Sequence, residues 1–128
     1  MNSVLIVDDS QTWREILAEW FRERRWRPVG ADDGVKALSL SEQEHFDLLL
    51  LDVIMPRLNG FETCRRLKDN PRTQAIPILV MSSNNNEFDR YWALRQGADG
   101  YLGKPFSADE LWTVLQPFFP GSPLSEVL

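Results

Sequence analysis

The feature that most restricts this chain is a run of four leucines, Leu48–Leu51, closed by Asp52 and followed by Val53-Ile54-Met55-Pro56. Four consecutive apolar residues carry neither the 3.6-residue period of an amphipathic helix nor the alternation of a half-exposed strand. A short unbroken apolar run between polar residues suits a strand covered on both faces, as in a parallel sheet. A carboxylate closing such a strand sits where sheet meets solvent, beside the connecting loops.

The pattern recurs along the chain. Val4–Val7 is a second apolar run and stops at Asp8-Asp9. Ile76–Met81 is a third and ends in Ser82-Ser83. Gly100–Gly103 is a short strand that runs into Lys104-Pro105-Phe106. Arg27–Ala31 contains Pro28, which cannot donate to a ladder, so that strand belongs at a sheet edge. Helical patterns fill the gaps. Ser10 caps a helix over Gln11–Arg24, marked by Trp13, Ile16, Leu17, Trp20 and Phe21. Asp32-Asp33-Gly34 turns into a short second helix carried by Val35, Leu38 and Leu40. After a loop over Pro56–Gly60, the residues Phe61, Cys64, Leu67 and Lys68 carry a third helix that stops before Asn70-Pro71. Asn84-Asn85-Asn86 reads as a polar loop. Phe88, Tyr91, Trp92 and Leu94 mark a fourth helix closed by Gly97, with Tyr91 and Leu94 on its inner side. Ser107, with Glu110 three residues on, opens a fifth as a capping box. Leu111, Leu115 and Phe118 line its inner face, and Pro117 and Pro120 end it. Strands alternating with helices predict an α/β fold, a doubly wound (βα)5 parallel sheet with right-handed crossovers. The expected organisation is one domain over residues 1–119 and a loose tail over 120–128.

Composition narrows the function classes. With 43% hydrophobic and 26% charged residues, the chain is globular rather than disordered. The net charge is −5, and the one basic cluster, Arg22–Arg27, reads as the solvated C-terminal end of the first helix, where arginine complements the helix dipole. Both observations argue against nucleic-acid binding by this chain alone. The single cysteine, Cys64, permits no internal disulfide and reads as a packing residue in a reducing compartment. With no secretory leader and no apolar run of membrane-spanning length, the expected location is cytoplasmic, without membrane contact.

In a parallel sheet all strand C-termini lie along one edge. Asp8, Asp9, Asp52, Ser82 and Lys104 all fall at or just past such ends, and ligands of these sheets bind in the crevice at the switch point. In the flavodoxin-like strand order 2-1-3-4-5 the first and third strands are neighbours, so Asp8, Asp9 and Asp52 face one another. Three carboxylates so placed repel, and a divalent cation resolves the repulsion. Oxygen-only ligands, with no His or Cys nearby, suit Mg²⁺. Such a cation would also neutralise an incoming phosphoryl group, which needs mainly positioning and electrostatic support. Lys104 adds a mobile positive charge, Ser82 a donor to a phosphoryl oxygen, and Asp52 the nucleophile. Taken singly, each residue has a plainer reading. Asp8-Asp9 can be a turn before a helix cap, Asp52 a strand-end acid, Lys104 a solvated lysine, and Ser82 alone means little. It is their joint occurrence at four strand ends that favours chemistry.

The segments Val7-Asp8-Asp9-Ser10, Leu49-Leu50-Leu51-Asp52-Val53-Ile54-Met55-Pro56, Asn59-Gly60, Ser82, Gly97-Ala98-Asp99-Gly100-Tyr101 and Lys104-Pro105-Phe106 occur in that order. Over essentially Val4–Phe118 the chain thereby resembles the receiver domain of two-component response regulators. The resemblance implies that Asp52 accepts a phosphoryl group from a phosphohistidine on a sensor histidine kinase or phosphotransfer protein. It implies Asp9 and Asp52 as direct Mg²⁺ ligands, Asp8 acting mainly through water, and the backbone carbonyl of Ile54 completing the set. Lys104 would pair with the acids and then with the phosphate, and its bond to Pro105 would be cis. Ser82 matches the switch hydroxyl and Tyr101 the switch aromatic. Output would leave through the face of helix 4, strand 5 and helix 5 to a downstream protein, as in motility- or chemotaxis-type signalling. Trp92 and Trp112 are candidates for exposed residues on that face, the other reading being that they cover the core rim. The chain would then be no enzyme beyond its own phosphorylation and dephosphorylation.

Three positions depart from the family pattern. Ile54 and Asn84 flank the path of the water that hydrolyses the phosphoryl group, and an apolar Ile54 cannot orient that water. A longer-lived phosphoryl group is the expected consequence. Ser83, where alanine or glycine is usual, is small enough to leave phosphate access intact. Two other functions compete. One is a phosphorylation-independent pseudo-receiver, an interaction module with the fold alone. The other is a phosphatase of the haloacid-dehalogenase type, which needs a second aspartate two residues after the first, where this chain has Ile54.

Overall fold

The structure is a computed structural model and describes residues 1–83 and 87–120. The predicted Asn84-Asn85-Asn86 loop, with Asn84 as a departure site, and the Gly121–Leu128 tail lie outside the described residues. The elements are β1 (Ser3–Val7), α1 (Gln11–Glu23), β2 (Arg27–Ala31), α2 (Gly34–Gln43), β3 (Leu48–Asp52), α3 (Gly60–Asp69), β4 (Ile78–Ser82), α4 (Glu87–Arg95), β5 (Gly100–Gly103) and α5 (Ala108–Leu115), followed by a 3₁₀ turn over Gln116–Phe118. The sheet order is β2-β1-β3-β4-β5, with every pairing parallel. The predicted doubly wound, flavodoxin-like architecture is therefore observed, with the proline-bearing β2 at one edge.

The leucine run explains the layering. Leu48 to Leu51 are all fully buried because successive side chains alternate between two helical layers. Leu49 and Leu51, with Leu5, Val7 and Val80, pack toward Ala37, Cys64, Leu67 and Ala93 from α2, α3 and α4. Leu48 and Leu50, with Val4, Ile6 and Met81, pack toward Leu17 and Phe21 of α1 and Leu111 and Leu115 of α5. Each such buried leucine contributes about 1.5–3 kcal/mol. Helix starts follow the capping rules. Ser10 accepts from the Trp13 amide, Asn59 from Glu62, and Ser107 with Glu110 forms the predicted capping box.

The fourth strand begins two residues later than expected, at Ile78. The Ile76 amide instead closes a turn onto Thr73, and Pro77 offers only its carbonyl, to Leu49.

Two expectations about tryptophan and helix phase are corrected. Trp112 is fully buried, not exposed. Helix α5 is covered by the sheet on one side and by α1 on another, so Trp112 packs edge-on against Phe21 at 5.0 Å and under the Arg24 guanidinium at 4.4 Å. On α4 the inner residue is Ala93, while Tyr91 and Leu94 are 55% and 47% exposed. A small side chain at the contact lets α4 approach the sheet, which turns its large apolar residues outward. Trp92, 38% exposed, keeps its expected place at the surface.

Candidate functional site

Strand register brings the acids together. β1 and β3 pair with Ile6 opposite Leu50 and Val7 opposite Leu51, so Asp8 and Asp52 are the next residues on the same face. Asp9 follows and is exposed, whereas Asp8 is fully buried and Asp52 nearly so. Each of the three offers a carboxylate oxygen, all within 4.8 Å of one another. Lys104 arrives from the far edge of the same sheet end. Its amide donates to the Ser82 carbonyl at 2.7 Å, and its Nζ lies 2.6 Å from Asp8 Oδ2 and 3.1 Å from Asp52 Oδ1. The Lys104–Pro105 bond is cis, as the resemblance implied.

The backbone holds this arrangement closely. The second oxygen of Asp8 accepts from the Ser10 amide at 2.9 Å, and the Asp8 carbonyl accepts from Arg14 Nη1 at 2.6 Å. The Asp8 amide donates to the Ala31 carbonyl and the Val53 amide to the Met81 carbonyl, which carries strand-like bonding up to Asp8 and one residue past Asp52. Gly60, the first residue of α3, donates to the Val53 carbonyl, and a Cβ there would collide with the Asp52 carbonyl oxygen. Only glycine lets α3 start this close to the acid. Ile54, two residues beyond Asp52, presents its side chain to solvent at 59% exposure.

The electrostatics are unbalanced. One ammonium faces three carboxylates. Burial, reinforced by the neighbouring Asp8 charge, pushes the Asp52 carboxyl up from its ordinary 3.8 to about 6, with Lys104 pulling the other way. Oxygen-only ligands around a negative, partly dry pocket are the donor set of a hard divalent cation. Cys64 takes no part. Burial lifts its thiol to about 12, which keeps it protonated, and its Sγ donates to the Gln96 carbonyl.

Ser82 and Tyr101 sit one strand away. The Ser82 hydroxyl donates to Asp89 Oδ2 of α4 at 3.4 Å and also meets the Tyr101 hydroxyl. The Tyr101 ring is turned inward, 9% exposed, and burial raises its phenol above the ordinary range.

Three neighbours of the site escaped sequence reasoning. Asp89 was hidden in a helix read only for its apolar residues. Trp13, read as a core residue, places its ring 5.9 Å from Lys104 Nζ. Arg57 ion-pairs with Asp33, a contact across 24 positions that no local pattern signals. Of the expected set, Asp8, Asp9, Asp52 and Lys104 converge directly and Ser82 and Tyr101 adjoin each other. Trp92 is on the α4 surface, and Trp112 lies in the core, away from the pocket.

Comparison with known proteins identifies the fold and the family. The chain is 35% identical to the protein PilH of Pseudomonas aeruginosa over 121 residues, covering 94% of this chain and all of PilH. Other curated relatives are longer, the chain spanning 46% of the regulators CpxR and MprA. Among solved structures, the chemotaxis protein CheY4 of Vibrio cholerae superposes with a TM-score of 0.86 at 30% identity, covering 91% of this chain and 98% of that one. The receiver domain of the sensor histidine kinase PA1611 from Pseudomonas aeruginosa, described with a magnesium ion coordinated in its active-site cleft, superposes with a TM-score of 0.83 at 28% identity, covering 91% and 95%. The response regulator receiver domain model matches residues 4–116, and the chain belongs to that family.

Proposed function

We propose that this chain is a phosphoryl-accepting signalling receiver and that Asp52 is the acceptor. The observation that carries the reading is the shared contact of Lys104 with Asp8 and Asp52 beside a cluster of three carboxylates. An Asp52 oxygen attacks phosphorus in line with a phosphorylated imidazole. The P–N bond breaks, its electron pair stays with the imidazole nitrogen, and an aspartyl phosphate forms. Lys104 offers the new phosphate a cation, and Ser82 offers it a hydroxyl donor. The residues suited to hold Mg²⁺ are Asp9 and Asp52 directly, Asp8 through water, and the Ile54 carbonyl. Mg²⁺ bound there would offset the charge that three carboxylates and a phosphoryl group bring together. The only chemistry assigned to the chain is gain and loss of its own phosphoryl group.

The donor is a phosphohistidine on a sensor kinase or phosphotransfer protein. The output is protein contact through α4, β5 and α5; on α4 Phe88, Tyr91, Trp92 and Leu94 stand exposed, and tyrosine and tryptophan are enriched at interface hot spots. Among the described residues no helix is long and apolar enough to cross a membrane. Acetyl phosphate with Mg²⁺ tests the reading: the wild type gains a phosphoryl mass and Asp52→Ala does not, whereas equal labelling of both refutes it.

A further inference from the structure

Arg57 holds an uncommon position. It lies in the β3–α3 loop that leaves Asp52, and its φ is +66°, in the left-handed region that a side chain disfavours. The Leu58 amide donates to the Pro56 carbonyl at 2.8 Å, closing a three-residue turn with Arg57 at its tip. Positive φ at a non-glycine residue persists where surrounding contacts fix it. Arg57 Nε and Nη2 lie 2.7 Å and 2.5 Å from one oxygen of Asp33, a residue only 5% exposed. The other oxygen of Asp33 accepts from the Lys36 amide and caps α2. The Lys36 amide and, secondarily, Arg57 hold this carboxyl below the ordinary range in spite of burial. The next residue, Gly34, makes a second contact with the same loop. A Cβ at Gly34 would collide with Thr63 Oγ1 and press on the Leu58 carbonyl. The loop is thus fixed at both ends. Gly60 sits against the Asp52 carbonyl, and Arg57 is tied to the start of α2.

We propose that Arg57 is a positioning residue for the acceptor site: its ion pair with Asp33 sets the β3–α3 loop, and through it the direction of the Ile54 carbonyl toward a divalent cation. The proposal rests on the Mg²⁺ site of the preceding section. It assigns to an exposed arginine five residues beyond the acceptor a role in metal affinity that it exerts without touching the metal. Groups that orient ligands from outside the coordination sphere commonly change affinity by 10–100-fold. Acting through backbone, Arg57 falls at the lower end, about tenfold.

The test is a MgCl₂ titration followed by amide chemical shifts of residues 53–60 on wild type, Arg57→Ala, Arg57→Gly and Arg57→Lys. Glycine tolerates the positive φ, so Arg57→Gly removes the ion pair without backbone strain and keeps the test valid if the alanine variant folds poorly. The expected result is a Kd for Mg²⁺ raised about tenfold in Arg57→Ala and Arg57→Gly and partly restored in Arg57→Lys, which keeps the charge but not the two-nitrogen contact. Wild-type affinity in both Arg57→Ala and Arg57→Gly, even with lower thermal stability, would overturn the proposal while leaving the metal site intact. No saturable shift in the wild type would overturn the metal site and this role together.

Discussion

The ammonium of Lys104 lies 2.6 Å from Oδ2 of Asp8, a carboxylate with no solvent exposure and 96 residues distant in sequence. The pair ties the last strand to the first across the acceptor strand and sets the electrostatics of the pocket. Lys104 contacts two of the three clustered acids, so the site keeps a surplus of negative charge. A proton on Asp52 or a bound divalent cation relieves that surplus, and the two compete.

A pH dependence follows from that competition. The Asp52 carboxyl is raised to about 6, chiefly by burial, so the attacking carboxylate is lost as pH falls through about 6. Labelling by acetyl phosphate at limiting Mg²⁺ should fall with an apparent midpoint there. Removing Lys104, which lowers this pKa, should move the midpoint upward in Lys104→Ala. A raised carboxyl favours the folded state when protonated, so metal-free stability should decline between about pH 4 and pH 6. At neutral pH the charged Asp52 costs on the order of 1–3 kcal/mol. Asp52→Asn should therefore be more stable than wild type at about pH 7 without metal, with the difference vanishing below about pH 4. A variant less stable than wild type across the whole range would count against this.

Burial separates two tryptophans that the chain alone does not distinguish. Trp112→Ala empties a site between α5 and α1 and should cost about 3–5 kcal/mol in urea unfolding. Trp92→Ala, on the surface of α4, should change stability by less than about 0.5 kcal/mol. Similar losses in the two variants would contradict the packing described.

Ile54 stands exposed beside the acceptor with no polar atom on its side chain to orient a water. Ile54→Asn should shorten the lifetime of the phosphorylated protein, measured as decay of phosphoryl label after donor removal. Unchanged or slower decay would remove this explanation.

The sheet was legible because its central strands are unbroken apolar runs ended by polar residues, a pattern few other elements share. The same ends gave Asp8, Asp9, Asp52, Ser82 and Lys104, since parallel topology gathers strand termini whatever their separation. Helix phase was less legible. On α4 the aromatic and leucine residues outnumber Ala93, yet Ala93 makes the core contact, because close approach to the sheet favours the smaller side chain. Trp112 misled for the opposite reason. A helix covered by both a sheet and a neighbouring helix buries a wider arc than a one-sided pattern suggests. The Arg57–Asp33 pair is tertiary, and neither residue lies in a hydrophobic period that could announce it.

The most direct measurement of the central claim is a crystal structure grown with Mg²⁺ and beryllofluoride, which stands in for a phosphoryl group. The account predicts beryllium bonded to an Asp52 oxygen, Mg²⁺ touching Asp9 and Asp52, and Lys104 and Ser82 turned to the fluorines. A pocket left empty under those conditions, with Lys104 directed away from it, would contradict the account.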